Sequence, residues 1–176
     1  MDTQTFRHFS NERILQAIIE IDGHYFPTIP VKLPPFCYLA FREKGIEIIE
    51  AEPLTNKKKD VLDDLSYNQI CQVEINPVKK LTVVVVAPGT RINLDLIIRL
   101  ENDTHFHFEC EEMSMLVELS ERLTAHNIEL VDPFDLVKTF SSAKTSRDAY
   151  DYLEEHLEDL AEEKQIELLR VTQTKS

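Results

Sequence analysis

Two runs of alternation, broken only at Ile97, stand almost back to back in this chain, and a helical period follows them directly. In Ile92–Glu101, Leu94, Leu96, Ile98 and Leu100 fall on one side while Asn93, Asp95, Arg99 and Glu101 fall on the other. In Thr104–Cys110, Phe106, Phe108 and Cys110 oppose His105, His107 and Glu109. A period of two is the mark of a strand with one buried face. The turn between the runs falls on Asn102-Asp103, whose side chains tolerate left-handed backbone. From Glu111 to His126 the period changes to helical, with Met113, Leu116, Leu119 or Ser120, and Leu123 as the buried stripe and Glu111 and Glu112 at its positive end. Asn127 suits the left-handed cap, with Ile128 folding back. An uninterrupted apolar run, Leu81 to Val86, precedes the block and reads as a strand covered on both sides, turned by Pro88-Gly89.

The rest of the chain supplies more strands. Arg13–Asp22 carries both a strand face (Leu15, Ala17, Ile19, Ile21) and a helical one (Ile14, Ile18, Ile21). Its isoleucines and the Asp22-Gly23 turn favour the strand. Prolines 27, 30, 34 and 35 make the next stretch an extended surface connection. Phe36–Arg42 and Ile46–Ala51 form a hairpin across Lys44-Gly45. Glu52–Asp64, with Pro53 and the charges at 57–60, 63 and 64, reads as a loop with one helical turn. Tyr67–Ile75 alternates again, and Pro77 is expected to end it.

After Ile128–Val131, the quartet Asp132-Pro-Phe-Asp135 starts a short helix through Phe140. Ser141–Thr145 has linker composition, and Ser146 to about Val171 reads as one acidic helix. Leu153, Leu157, Leu160 and Leu168 share its apolar stripe. The expected fold is therefore α+β, about seven strands closed by an amphipathic helix and followed by two more helices. Residues 1–140 form the main domain and 141–176 a linker with the last helix.

That order of elements resembles a pleckstrin-homology-like barrel of the bacterial, GRAM type, over roughly residues 13–127. The resemblance implies an antiparallel barrel or sandwich plugged at one end by the helix. The chain departs from the family in two ways. It has no tryptophan, so Leu116, Leu119 and Leu123 would serve as the plug, and only Lys32, Arg42 and His24 are available where phosphoinositide binding needs a basic cluster. The barrel is implied, but phosphoinositide binding is not expected.

Composition restricts function further. With 32 acidic against 19 basic side chains in 176 residues, the net charge of −13 repels nucleic acid and anionic membranes. The first twelve residues lack an apolar signal segment, so the cytoplasm is the expected compartment. Cys37, Cys71 and Cys110 all fall in strands and read as buried thiols, although one bridge stays open. The three glycines, 23, 45 and 89, each fit a turn, which leaves no phosphate loop or dinucleotide fingerprint. Adjacent carboxylates such as Asp63 with Asp64, and the run Lys57–Lys59, read as solvated surface.

His105, His107 and Glu109 share a strand face and are of a type that binds zinc. They carry the alternative of a metal-assisted hydrolase. Pairing His107 with Cys110 as base and nucleophile is set aside, because the two point to opposite faces. The favoured expectation is a non-catalytic interaction or scaffolding module with no cofactor, in which Leu153, Leu157, Leu160 and Leu168 either dock on the chain's own barrel or contact a second copy or another protein. An acidic mimic of nucleic acid is the remaining alternative.

Overall fold

The computed structural model describes residue 6 and residues 14–26, 36–52, 55, 57–84 and 87–173. The chain is α+β, with one mixed sheet of ten strands and three helices among these residues. Leu15–Ile21 (β1) turns at Asp22-Gly23 into the short His24–Phe26 (β2), with both turn residues at positive φ. Phe36–Phe41 (β3), Gly45–Ala51 (β4) and Lys58–Ser66 (β5) form one antiparallel meander. Ile70–Val84 (β6), Ala87–Leu100 (β7) and His105–Cys110 (β8) form a second. β1 lies between the two meanders and runs parallel to both β3 and β8. Glu129–Val131 (β9) and Leu169–Gln173 (β10) join the outer side of β6 in parallel. β10 and β5 end the strand order, so the sheet is open and mixed, not a closed antiparallel barrel.

The apolar faces read from the sequence meet in one core. Leu15, Ala17, Ile19 and Ile21 join Cys37, Leu39 and Phe41, Leu94 to Leu100, and Phe106, Phe108 and Cys110. The helix Leu116–Ala125 (α1) buries Leu116, Leu119 and Leu123 in the same core. It begins later than its acidic residues suggest, because Met113 and Met115 are buried ahead of it and Tyr150 Oη accepts the Met113 N–H at 2.7 Å. Its end is a Schellman motif: Asn127 is at φ 56°, and the Ile128 N–H reaches the Leu123 carbonyl at 3.0 Å.

Several expected elements come out differently. Residues 58–66 are a strand, not a loop, because β4 supplies a ladder and an edge position tolerates the charges. The strand at 70 does not stop at Pro77. β9 covers Gln72–Glu74 and β10 covers Val78–Thr82, so Pro77 falls between them, where that edge asks for no donor. Pro88 and Gly89 lie inside β7, paired with Val83 and Thr82, so the reversal comes earlier than expected, ahead of Ala87. Prolines 27, 30, 34 and 35 are outside the described residues.

Leu136–Ser142 (α2) starts three residues later than predicted, yet Asp132 still caps it, since its two carboxylate oxygens accept from Leu136 N and Val137 N at 2.9 Å each. Ser146–Lys164 (α3) opens on a capping box between Thr145 and Asp148. It ends seven residues short of Val171. Gln165 turns left-handed, and the chain leaves as β10. Leu153, Leu157 and Ala161 are buried in the core of the main sheet, so residues on both sides of 141 share one interior.

Gly45 is required for a reason other than a turn conformation, since its φ is not positive. A Cβ there would overlap the Leu65 carbonyl across the β4–β5 ladder. Gly45→Ala is expected to destabilise the fold by about 1–3 kcal/mol, measured by urea unfolding. Leu157→Ala should cost about 2–5 kcal/mol in the same assay, and a loss under 0.5 kcal/mol would show that α3 is not part of the core.

Candidate functional site

The face of β6–β7–β8 away from the core carries the histidines. Register sets its side chains in rows: Gln72, Arg99 and His105; then Glu74, Ile97 and His107; then Asn76, Asp95 and Glu109. His105 is exposed. His107 Nε2 is paired with the Asp95 carboxylate, and Asp95 is buried. Glu109 receives Lys80 Nζ at 2.5 Å and a hydrogen bond from Asn93 Nδ2. Glu74 accepts from Arg99 at 3.0 Å and from Asn76 at 3.0 Å. Burial alone would raise the Glu74 carboxyl, but those two bonds and the charges of Arg99 and His107 hold it below its ordinary range.

His107 and Glu109 are therefore each committed to another side chain. Among the described residues no group of three or more His, Cys, Asp or Glu side chains is placed to hold a metal ion. Cys110 lies in the core, on the other side of β8 from His107. What the face does hold is a lattice of opposite charges in which Lys80, Asn93 and Asp95 are buried and Arg99 and His105 reach solvent. Asn93 Oδ1 is buried with no hydrogen-bond partner. The sequence shows Asn93 and Asp95 as polar alternates. It hides Lys80, which sits at the edge of an apolar run and enters the face only because β6 is continuous through Pro77.

A second charged knot lies on β1. Glu20, 2% exposed, binds Arg42 Nη1 at 2.6 Å and Lys58 Nζ. Arg42 also donates to Glu47 at 3.0 Å, and Lys58 lies over the rings of Tyr25 and Tyr38 at 4.9 and 5.3 Å. Ile18, Tyr38, Ala40, Ile49 and Ala51 form a small apolar cluster on the same strands. Lys58, read from the sequence as part of a solvated run, is thus one of the two cations of this knot. Among the other charges read as surface, Asp63 is buried while Lys57, Lys59 and Asp64 are exposed.

The thiols also divide. Cys37 and Cys110 are buried and outside any disulfide, and burial pushes the Cys37 thiol up. Cys71 is exposed, contrary to expectation, because the β6–β7 register shifts between Ile70 and Gln72.

The leucines proposed for interaction are placed at home. Leu153 and Leu157 are buried, and Leu160 and Leu168 pack against the same core. Leu168 lies beyond the helix, in the connection to β10. Lys79 binds Glu158 at 2.6 Å, Thr90 donates to Glu154 at 3.2 Å, and Lys164 binds Asp135 at 2.6 Å, so polar contacts also tie α3 down. Beside its end is a cleft of about 840 Å³ lined by Glu158, Ala161, Glu162, Gln165, Ile166, Glu167 and Leu168. Among the described residues no helix is long and apolar enough to cross a membrane.

Comparison with protein-family models, with curated proteins and with solved structures gives no match.

The Glu20 knot sets a pH response. Burial would raise this carboxyl, but hydrogen bonds from Lys58 and Arg42 and their charges bring it below its ordinary 4.5. Its contribution is therefore present above pH 4.5 and fades as pH falls through the lowered value. Glu20→Gln is expected to cost about 1–2 kcal/mol at pH 7, the partial exposure of both cations keeping the figure low. The gap to wild type should narrow below about pH 4, as read by denaturant midpoints at each pH. A constant gap from pH 7 to 3 would remove Glu20 as the source.

Proposed function

We propose that this chain is a non-catalytic interaction module on a pleckstrin-homology-like scaffold, and that it takes its partner by strand addition at the β10 end of the sheet. The scaffold reading is supported by the strand order, in which two three-stranded meanders flank β1 and a core-filling helix follows the last of them. Parallel β1 pairings and an open sheet are the departures. The interaction reading moves from the leucine stripe, which the chain's own core uses, to the sheet edges.

One observation carries the choice of edge. β5 is guarded as solitary edges are: Lys59, Asp60 and Asp64 are exposed along it, and its register shifts twice against β4. β10, Leu-Arg-Val-Thr-Gln, has one charged residue in five and a continuous register. An edge with unused backbone donors and acceptors and little charge is what an extended polypeptide pairs with. The hydrolase alternative has less to stand on, because His107 and Glu109 are occupied by Asp95 and by Lys80 with Asn93.

Immobilised full-length chain and a variant ending at Leu168 can be compared for proteins retained from cell extract, with far-UV circular dichroism as the check on folding. Retention that disappears with residues 169–176 is the expected outcome. Equal retention by both chains would overturn the reading.

A further inference from the structure

We propose that β10 is exchanged between two copies of this chain, each copy laying its C-terminal strand on Val78–Thr82 of the other through a hinge at Gln165. The inference rests on the β10 end of the sheet being the contact element, and it names a second copy as the partner.

The hinge is visible in the backbone. Gln165 sits at φ 56°, ψ 37°, and its N–H still bonds back to α3 carbonyls, while the Ile166 N–H reaches Ala161 at 3.0 Å. Left-handed backbone is unfavourable for a side chain other than glycine, asparagine or aspartate, so this turn is under strain that the docked strand offsets. Only residues 165–168 separate α3 from β10. Short strained connections of this kind are the ones that open into swapped dimers.

The sequence around the hinge is ambivalent as well. Leu153, Leu157, Leu160 and Leu168 keep a helical period across Gln165, so local preference does not enforce the reversal. The cleft of about 840 Å³ flanks this connection and leaves it room to swing.

The acceptor is equally specific. Among the described residues β10 pairs with β6 alone, in the register Leu169↔Val78 to Gln173↔Thr82. A second copy offers the identical ladder, so exchange keeps every strand contact and changes only the hinge. Its two-fold arrangement makes the interface closed. Opposing it is the repulsion between two chains of charge −13, which salt screens.

Light scattering on size-separated protein, over a range of protein concentrations at low and high salt, tests the proposal with two hinge variants. Gln165→Gly removes the strain and should weaken dimerisation about tenfold or more, since two hinges act together. Gln165→Val makes the left-handed state harder to reach and should strengthen it by a similar factor. Salt should favour the dimer throughout. Hydrogen exchange at Val78–Thr82 should be equally slow in monomer and dimer, because the edge is covered in both.

A mass independent of concentration in wild type and Gln165→Val overturns the exchange, as does a dimer indifferent to both variants. Either result leaves the retention experiment with residues 169–176 to decide separately whether this edge takes a different protein. If Gln165→Val fails to fold, the comparison of wild type with Gln165→Gly still decides.

Discussion

The long ladder between β6 and β7 is the constraint on which the rest of this structure depends. It runs from Ile70↔Leu100 to Val84↔Ala87, and it gives β8, β9 and β10 the backbone they pair with or reach through a neighbour. Its inner face supplies Val73, Ile75, Leu94, Leu96 and Ile98 to the core against which α1 and α3 pack. Its outer face carries Lys80, Asn93 and Asp95, all buried. A slip of one residue would send these polar groups inward and the leucines outward. The Lys80–Glu109 pair belongs to the same register, since a slip would part the buried lysine from its carboxylate.

Much of this arrangement was legible in the residues. Alternation in 92–100 and 105–110 gave the strand faces, and the Asn102-Asp103 turn, the α1 stripe and the Asn127 cap followed from local chemistry. These signals lie within one element, which is why they can be read without knowing its neighbours. Residues 58–66 are not legible for the converse reason: their charges are those of a loop, and only β4 makes them a strand. β10 hid in the same way, because Leu168–Val171 continues the period of α3 until β6 competes for it. Parallel pairing of β1 with β3 and β8 has no local signature at all.

For the candidate site the limit was similar. His105, His107 and Glu109 do share a face, as alternation requires. Their partners come from other strands, and partners decide chemistry. A histidine with its Nε2 on a buried aspartate and a glutamate held by lysine are each engaged by another side chain, where a metal would need open lone pairs. Likewise the leucine stripe was correctly seen as apolar, but a stripe does not state whether it is covered by its own sheet or by another molecule. Leu153 and Leu157 are covered at home.

Pro77 has a consequence that reaches beyond its own position. It divides the outer edge of β6 into two short berths, one taken by β9 and one by β10. Neither occupant touches the other through the ladder, so each opens with its own free energy. The chain can release its last strand without loosening β9, or the helix α1 that leads into it. Each berth thus holds its strand by its own ladder, and the hydrogen bonds of one do not run through the other.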